Sequence, residues 1–129
     1  MEGFDFVHRE HVRFRDVDAM GHCNNAVYLT FCEQARIAFL RSLGPTTEHL
    51  ILARAELDFR APLFEDDEVE VGVRCSRVGN SSFALDYELR SGERLVAEGS
   101  SVIVSYDYEQ RAPKPIPESW REALLGVAA

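Results

Sequence analysis

The sequence has too few cysteines, in the wrong spacing, for a disulfide framework or a zinc centre. Its 129 residues include only three cysteines, namely Cys23, Cys32 and Cys75, and no two of them form a Cys-x-x-Cys pair. Disulfide frameworks and cysteine-rich zinc sites need even or closely spaced sets. We interpret the three as reduced thiols that lie in the core or near a site.

Long apolar runs and an excess of positive charge are also missing. No stretch approaches the roughly 20 apolar residues of a bilayer-spanning helix, and no apolar run follows a basic start. The 14 lysines and arginines face 22 aspartates and glutamates, which gives a formal net charge of −8. This balance disfavours nucleic acid and anionic membranes as main partners. From the missing apolar stretches we expect a cytoplasmic protein.

The sequence does contain enough apolar residues for one core. Hydrophobic residues make up 46% of the chain and charged residues 28%, which is typical of a single globular domain. We therefore predict one domain over residues 1–129.

The densest polar chemistry lies between residues 16 and 25, Asp-Val-Asp-Ala-Met-Gly-His-Cys-Asn-Asn. This stretch follows a strand predicted over residues 4–15 and precedes an amphipathic helix predicted over residues 26–43. Asn24 or Asn25 is a natural N-cap for that helix. Because the first N–H groups of a helix lack intrahelical partners and carry partial positive charge, this point can stabilise a carbonyl oxygen as it becomes negative.

The helix is marked by an apolar stripe at three- and four-residue steps, and Gly44-Pro45 ends it. The stripe consists of Tyr28, Phe31, Cys32, Ala35, Phe39 and Leu43. Val12 and Phe14 are predicted to share one face of the strand before the loop. A short second helix is predicted over residues 118–125.

Alternating apolar residues predict four further strands, joined mostly by short turns. They span residues 51–60, 68–76, 83–90 and 95–108. In the first of them, one face is predicted to be buried: Ile51, Ala53, Ala55, Leu57 and Phe59. In the last, Gly99, Ser100 and Ser101 predict either a bulge or a close approach of two backbones.

This order of elements predicts an α+β fold, in which an antiparallel five-stranded sheet is laid around one long central helix. A sheet covered by a single helix leaves its edges open. We expect a second copy to pair with one edge, giving a homodimer or a dimer of dimers.

The motifs together resemble the hot-dog-fold acyl-CoA thioesterases of the 4-hydroxybenzoyl-CoA thioesterase type, over nearly the whole chain. The matching segments are Asp16-x-Asp18-x-x-Gly21-His22-x-Asn24-Asn25-x-x-Tyr28, Glu33-x-x-Arg36, Asp58-Phe-Arg-Ala-Pro-Leu, Val78-Gly-Asn-Ser-Ser, and Arg-x-x-x-Pro-Ile-Pro at 111–117. The resemblance implies a hot-dog fold, dimers formed through edge strands that often pair again into tetramers, and sites between subunits.

The resemblance also implies the roles of the loop residues. In that family a carboxylate at the position of Asp18 is the nucleophile or general base, and an N–H at the helix start, here near Asn25, holds the carbonyl oxygen. Related plant acyl-carrier-protein thioesterases have aspartate and histidine at the positions of Asp18 and His22, but asparagine at Met20. A thioester carbonyl is already electrophilic, so this chemistry needs no metal, and we expect no cofactor.

Several of these residues also have a structural interpretation. Asp16 is expected to bond its own backbone, and Tyr28 to line the acyl site. His22 either contacts substrate or orients Asp18, or it has a structural role in capping the helix or filling the mouth of a pocket. A metal role is disfavoured because no second ligand has suitable spacing. The remaining substrate-binding candidates are Asn24, Asp58 and Arg60. The alternative role of Asn24 is a helix cap, and the alternative for Asp58 and Arg60 is exposure to solvent.

Two groups of charged or turn residues complete the predicted site. Glu33 and Arg36 are expected to form an ordinary ion pair on the helix. Coenzyme A carries phosphates, so an acidic protein needs local donors for them. The resemblance favours Arg77 and the turn residues Gly79, Asn80, Ser81 and Ser82, with Arg111 and Lys114 as further candidates.

We predict hydrolysis of acyl-CoA thioesters to the free acid and CoA. Three alternatives stay open: a non-catalytic acyl-CoA binding module, a hydrolase of acyl-carrier-protein thioesters, and a hot-dog hydratase or dehydratase. The motif of the last class is not seen in the sequence. Neither the acyl group nor the choice between dimer and tetramer is indicated.

Overall fold

The computed structural model describes residues 1–44 and 49–127 of the chain. Within these residues, six strands and two α-helices follow one another, with a short 3-10 helix at Phe14–Asp16. In chain order they are β1 (Phe6–His11), α1 (Asn25–Ser42), β2 (Leu50–Phe59), β3 (Glu68–Val78), β4 (Ser82–Ser91), β5 (Arg94–Asp107), β6 (Ala112–Pro113) and α2 (Glu118–Val127).

The strands form an antiparallel sheet in the order β1-β3-β4-β5-β2, and the two-residue β6 pairs with β5. Helix α1 packs against one face of this sheet. Phe39 meets Phe6 of β1 with ring centroids 5.5 Å apart, and Tyr28 meets Phe59 of β2 at 5.1 Å. The predicted antiparallel sheet around one long helix is confirmed, and β6 is an unpredicted sixth strand.

The core follows the predicted periodicities. Strands β3 and β4 bury alternate residues, and α1 buries its stripe; examples are Val71, Cys75, Leu85, Phe31 and Cys32. Each fully buried large apolar side chain contributes about 2 kcal/mol, as an upper estimate.

The end of α1 differs by one residue from its prediction. The helix ends at Ser42, and Leu43 is only half-buried while Leu40 lies in the core. Gly44 follows in the left-handed region, and Pro45 lies outside the described residues.

The first predicted strand is too long. Strand β1 ends at His11, and the chain then turns into the 3-10 helix. The carboxylate of Asp16 accepts the backbone N–H of Arg13 at 2.9 Å, which holds this turn. Val12 is buried but Phe14 is 80% exposed, so the prediction that the two share a face is wrong.

The predicted buried face of β2 is also wrong within one protomer. The strand itself is confirmed, but Ala53, Ala55 and Phe59 are exposed and Leu57 is only half-buried. Strand β2 lies at the end of the sheet order, where it pairs with β5. Its apolar side chains therefore lie at an open edge of the sheet.

Gly99 of β5 marks a close approach between strands. A Cβ at this position would overlap the carbonyl of Glu56 in the neighbouring β2. The register between β2 and β5 runs unbroken from Arg54 to Phe59, so of the two predicted alternatives, close approach is correct and a bulge at this point is not.

Replacing Gly99 by alanine is expected to destabilise the fold by about 2 kcal/mol, because the added methyl group must push the two strands apart. Urea denaturation followed by circular dichroism measures the loss. Gly126→Ala is the matched control, since a Cβ there meets no atom within 4 Å and alanine favours the helix. Equal stability of Gly99→Ala and the wild type would contradict the close approach.

Candidate active site

Two backbone contacts join the two ends of the polar loop between β1 and α1. Val17 and Cys23 form an isolated antiparallel bridge, and the Asn24 N–H donates to the carbonyl of Asp16 at 2.9 Å. Both ends of the loop are thereby fixed to the first turn of α1. Residues 18–22 form the projecting part of the loop between the bridged Val17 and Cys23.

Asp18 lies at the start of the projecting segment. Its N–H donates to the His22 carbonyl (3.0 Å), and its own carbonyl accepts the Gly21 N–H (3.0 Å). One carboxylate oxygen accepts the Met20 N–H at 2.8 Å. The other oxygen forms no hydrogen bond with the part of the chain that the structure describes, and the side chain is half-buried. A carboxylate held in this way keeps one oxygen free for chemistry.

Gly21 makes the tight return of this loop possible. Its φ of +88° lies in the left-handed region, where a side chain would be strained. Glycine at this position of the motif therefore has a structural reason.

The start of α1 presents a free backbone donor. Asn24 is the N-cap, and its side-chain oxygen accepts the Ala26 N–H at 2.9 Å. The Val27 N–H donates to the Asn24 carbonyl. Among residues 1–44 and 49–127, the Asn25 N–H has no hydrogen-bond partner, and it lies at the positive end of the helix dipole. Asn25 thus has the position expected of an oxyanion donor.

His22 lies on the same loop and is half-buried. Its Nδ1 is 3.4 Å from the carbonyl oxygen of Cys23. No hydrogen bond joins its ring to the Asp18 carboxylate within the described chain. Its predicted alternatives, contact with substrate or a local structural role, therefore both stay open.

Cys23 is buried beside the two carboxylates of the loop. Burial, with the nearby charges of Asp16 and Asp18, raises the pKa of the Cys23 thiol to about 11. The thiol is consequently protonated at neutral pH and is not a nucleophile. The other cysteines, Cys32 and Cys75, are also free and buried, and burial raises the pKa of Cys32 to about 12.

The segment after β2 supports this loop, which the sequence did not reveal. Leu63 accepts the Cys23 N–H at 2.7 Å and donates its own N–H to the Tyr28 hydroxyl at 3.1 Å. That hydroxyl donates in turn to the carbonyl of Ala61 at 3.1 Å. Tyr28 is 2% exposed, so it anchors the segment, and its predicted contact with substrate stays a prediction.

Asp58 and Arg60 lie elsewhere in the protomer. Phe59 packs on Tyr28 of α1, so alternation directs its neighbour Asp58 to the other face of the sheet. Arg60 contacts Asp58 at 3.6 Å and Glu98 at 3.2 Å on the exposed surface. The structure does not bring these two side chains to the loop of Asp18 within one protomer.

The turn between β3 and β4 is held by the C-terminal segment. Arg121 of α2 donates to the carbonyls of Gly79 (2.9 Å) and Asn80 (3.0 Å). The Ser105 N–H donates to the Ser81 carbonyl at 2.8 Å. The turn is thus fixed through its carbonyl groups. The role of Arg121 was not predicted, since a lone arginine on a short helix carries no motif.

The other basic residues near this turn differ in position. Arg77 is exposed, and its guanidinium lies beside Gly79. Lys114 is half-buried and Arg111 is exposed, the latter in the left-handed region with φ of +53°. Of the three, Arg77 lies closest to the turn along the chain.

Two further kinds of feature are absent from residues 1–44 and 49–127. No three His, Cys, Asp or Glu side chains are grouped there in a way that holds a metal ion. No helix in that part of the chain is long and apolar enough to cross a membrane.

Comparison with known proteins places this chain in a family. The family model described as the Thioesterase-like superfamily matches residues 12–124. The crystal structure of a Thermus thermophilus thioesterase complexed with coenzyme A and Zn is 38% identical, with a TM-score of 0.90 over 98% of this chain and 96% of that one.

Two curated relatives extend the comparison. A 1,4-dihydroxy-2-naphthoyl-CoA hydrolase of Synechococcus elongatus is 26% identical over 93% of this chain and 95% of its own. An acyl-acyl carrier protein thioesterase of Arabidopsis thaliana is 28% identical over 96% of this chain and 70% of its own. The predicted thioesterase class is confirmed, while the finer 4-hydroxybenzoyl-CoA type stays a prediction. The chain belongs to the Thioesterase-like superfamily.

Proposed function

We propose that this chain hydrolyses acyl-CoA thioesters, releasing the free acid and CoA. The observation that carries the proposal is the joint presentation of the Asp18 carboxylate and the free Asn25 N–H. The bridge between Val17 and Cys23, and the bond from the Asn24 N–H to the Asp16 carbonyl, connect both ends of the loop that carries Asp18 to the start of α1. A nucleophile or base and an oxyanion donor are the two parts that thioester hydrolysis requires.

The chemistry follows from these two groups. The thioester oxygen accepts the Asn25 N–H, which becomes more favourable as negative charge develops on that oxygen. The free oxygen of Asp18 either attacks the carbonyl carbon, giving an anhydride that water cleaves, or removes a proton from the attacking water. In both routes the carbon–sulfur bond breaks and the CoA sulfur leaves as a thiolate that takes up a proton.

The nucleotide part of CoA is assigned to the turn of residues 79–82. Arg121 and the C-terminal segment hold the carbonyls of this turn, which leaves the hydroxyls of Ser81 and Ser82 and the exposed Arg77 to meet phosphate. Local positive charge is needed because the whole chain carries a net charge of −8.

The chain is further proposed to act as a homodimer or a dimer of dimers in the cytoplasm. The open edge of β2 exposes Leu52 (44%) and Phe59 (45%), and a second copy paired along this edge covers both. Free, buried cysteines fit a reducing compartment. The thiol that carries the acyl group is assigned as CoA, since the Synechococcus relative is named for a CoA substrate.

Asp18→Asn is expected to lower kcat at least 100-fold, because an amide neither attacks the thioester nor accepts a proton from water. The amide oxygen retains the acceptor for the Met20 N–H, so the loop keeps its shape. Thiol release from short, medium, long and aromatic acyl-CoAs measures the effect. Asp16→Asn is the matched control; its side chain holds Arg13, and turnover is expected to persist.

Full turnover by a clean preparation of Asp18→Asn would show that this carboxylate is not catalytic. Tight acyl-CoA binding without thiol release by the wild type would favour a binding module instead. Conversion of an enoyl-CoA without thiol release would indicate a hydratase. Faster release from acyl carrier protein than from CoA would change the carrier and leave the chemistry in place.

Arg77→Ala is expected to raise KM for an acyl-CoA about tenfold with little change in kcat, because it removes a charge-assisted contact to phosphate. The same acyl group on N-acetylcysteamine lacks the nucleotide, so its hydrolysis is expected to be unchanged. Arg54→Ala removes another exposed arginine, which pairs with Glu56, and is the control. An equal loss of kcat/KM with the acyl-CoA and the N-acetylcysteamine thioester would show that Arg77 does not bind the nucleotide.

Leu52→Lys is expected to weaken assembly through β2, since a charge on the edge strand opposes pairing with a second copy. Sedimentation equilibrium measures the mass in solution. Leu125→Lys changes another exposed leucine, on α2 (55% exposed), and is expected to leave the mass unchanged. An assembly that is insensitive to Leu52→Lys would assign the interface to a different surface.

A further inference from the structure

The turn between β3 and β4 is shaped by a side chain from the C-terminal helix. A four-residue turn is often closed by the N–H of its last residue, which donates to the carbonyl of its first residue. In the turn of residues 79–82, the Ser82 N–H makes no such bond. The Gly79 carbonyl accepts the guanidinium of Arg121 instead, at 2.9 Å, and the same guanidinium donates to the Asn80 carbonyl at 3.0 Å. Arg121 therefore determines the orientation of two successive peptide groups.

Those two peptide groups direct their N–H donors away from Arg121. A trans peptide is planar, so the carbonyl of one residue and the N–H of the next point in opposite directions. Because the carbonyls of Gly79 and Asn80 face the guanidinium, the N–H groups of Asn80 and Ser81 face the other way. Neither N–H donates to another group within the part of the chain that the structure describes. Successive free N–H groups in a turn form a concavity that binds an anion.

The carbonyls of the turn are also held by backbone donors. The bonds run to the Asn80 carbonyl from the Ile116 N–H (2.9 Å), to Ser81 from Ser105 (2.8 Å) and to Ser82 from Gly79 (2.7 Å). Together with Arg121, these donors occupy every carbonyl of residues 79–82. An anion that approaches the turn therefore meets N–H groups and is not repelled by a free carbonyl oxygen.

The charge of Arg121 is both fixed in place and not neutralised. Its neighbours Trp120 and Leu124 are buried, so α2 is held against the core. Most arginines of this acidic chain pair with a carboxylate, whereas Arg121 and Arg77 form no ion pair among residues 1–44 and 49–127. Arg77 lies beside Gly79. Two uncompensated cations at one turn favour an anion with several acceptor oxygens, such as a phosphate.

We propose that Arg121 is a positioning residue for the nucleotide of CoA: it turns the N–H groups of Asn80 and Ser81 outward, where they bind a phosphate. Arg121 acts through the turn and does not contact the phosphate itself, since its guanidinium faces the two carbonyls on the opposite side. The exposed guanidinium of Arg77 completes the site. The proposal rests on the proposed function, in which CoA carries the acyl group, and it gives α2 a role in binding.

Amide chemical shifts test this geometry in the wild type. Titration with CoA, followed by proton–nitrogen correlation NMR, is expected to move the amide proton signals of Asn80 and Ser81 downfield, because each N–H gains an anionic acceptor. Pantetheine has the same thiol arm but no nucleotide and no phosphate, so it is expected to leave both signals in place. Unmoved Asn80 and Ser81 signals at saturating CoA would overturn the proposal.

Arg121→Met removes the donors but keeps an unbranched stem and a good helix former. It is expected to weaken CoA binding about tenfold in isothermal titration, to leave pantetheine binding unchanged and to abolish the downfield shifts. With an acyl-CoA the loss is expected in KM while kcat is retained, and hydrolysis of the N-acetylcysteamine thioester is expected to be unchanged.

Two further variants sharpen the comparison. Arg41→Met is the matched control, because Arg41 is an exposed arginine in the last turn of α1 and its loss changes the net charge equally; CoA affinity is expected to persist. Arg121→Lys replaces the planar fork by a single ammonium, and it is expected to lose part of the CoA affinity with Tm unchanged. It carries the test if Arg121→Met does not fold.

The outcomes separate this inference from the proposed function. CoA affinity equal to that of the wild type in both Arg121 variants would overturn the role of Arg121 and leave the hydrolase intact. Equal losses with the acyl-CoA and the N-acetylcysteamine thioester would show that Arg121 maintains the fold and not the nucleotide site. Movement of the Asn80 and Ser81 signals by CoA, without thiol release from any substrate, would end the hydrolase proposal and keep the phosphate site.

Discussion

The bridge between Val17 and Cys23 is the constraint on which the candidate site depends. It pairs the two ends of the loop, so that Asp18 directly follows one bridged residue and Asn25 follows the other by two positions. Without this pairing, a loop of this composition would sample many backbone conformations, and each ordered residue would cost about 1–2 kcal/mol. Packing elsewhere in the fold offsets this loss of conformational entropy, so the loop is ordered before substrate binds.

That bridge is in turn anchored in the core. Cys23 donates its N–H to Leu63, which binds the hydroxyl of Tyr28, and Tyr28 belongs to the buried stripe of α1. The loop that carries Asp18 is therefore connected to the core through one cysteine, one leucine and one tyrosine. The raised pKa of the Cys23 thiol agrees with this structural role, because a protonated thiol in an apolar setting packs as a small hydrophobic group.

Much of the fold could be predicted from sequence because it depends on local periodicity. Alternation in β3 and β4 and the stripe of α1 each report burial directly, and Asn24 has the chemistry of an N-cap. Phe14 could not be predicted in this way, since its exposure depends on the 3-10 turn held by Asp16. Arg121 and Leu63 were missed because their contacts join residues distant in sequence, through backbone groups that any residue type offers.

In strand β2, alternation in the sequence predicts the strand but not its burial. Its alternation predicts a buried face, yet within one protomer most residues of that face are exposed. An alternating pattern predicts that one face of a strand is apolar, but it does not predict what covers that face. A second copy of the chain can bury it as well as the core of one protomer can. The failed prediction for one protomer thus supports an assembly through this edge.

A cleft lies between α1 and the edge strand β2, and it is lined by residues of both. Its apolar wall includes Leu57 of the edge strand, while its buried guanidinium belongs to Arg36 of α1. Covering the edge with a second copy would exclude water from the mouth of the cleft and strengthen every electrostatic interaction inside it. The contacts of the Arg36 guanidinium with Tyr87 and Glu33 would then depend on assembly, because charge interactions strengthen as the medium around them becomes less polar.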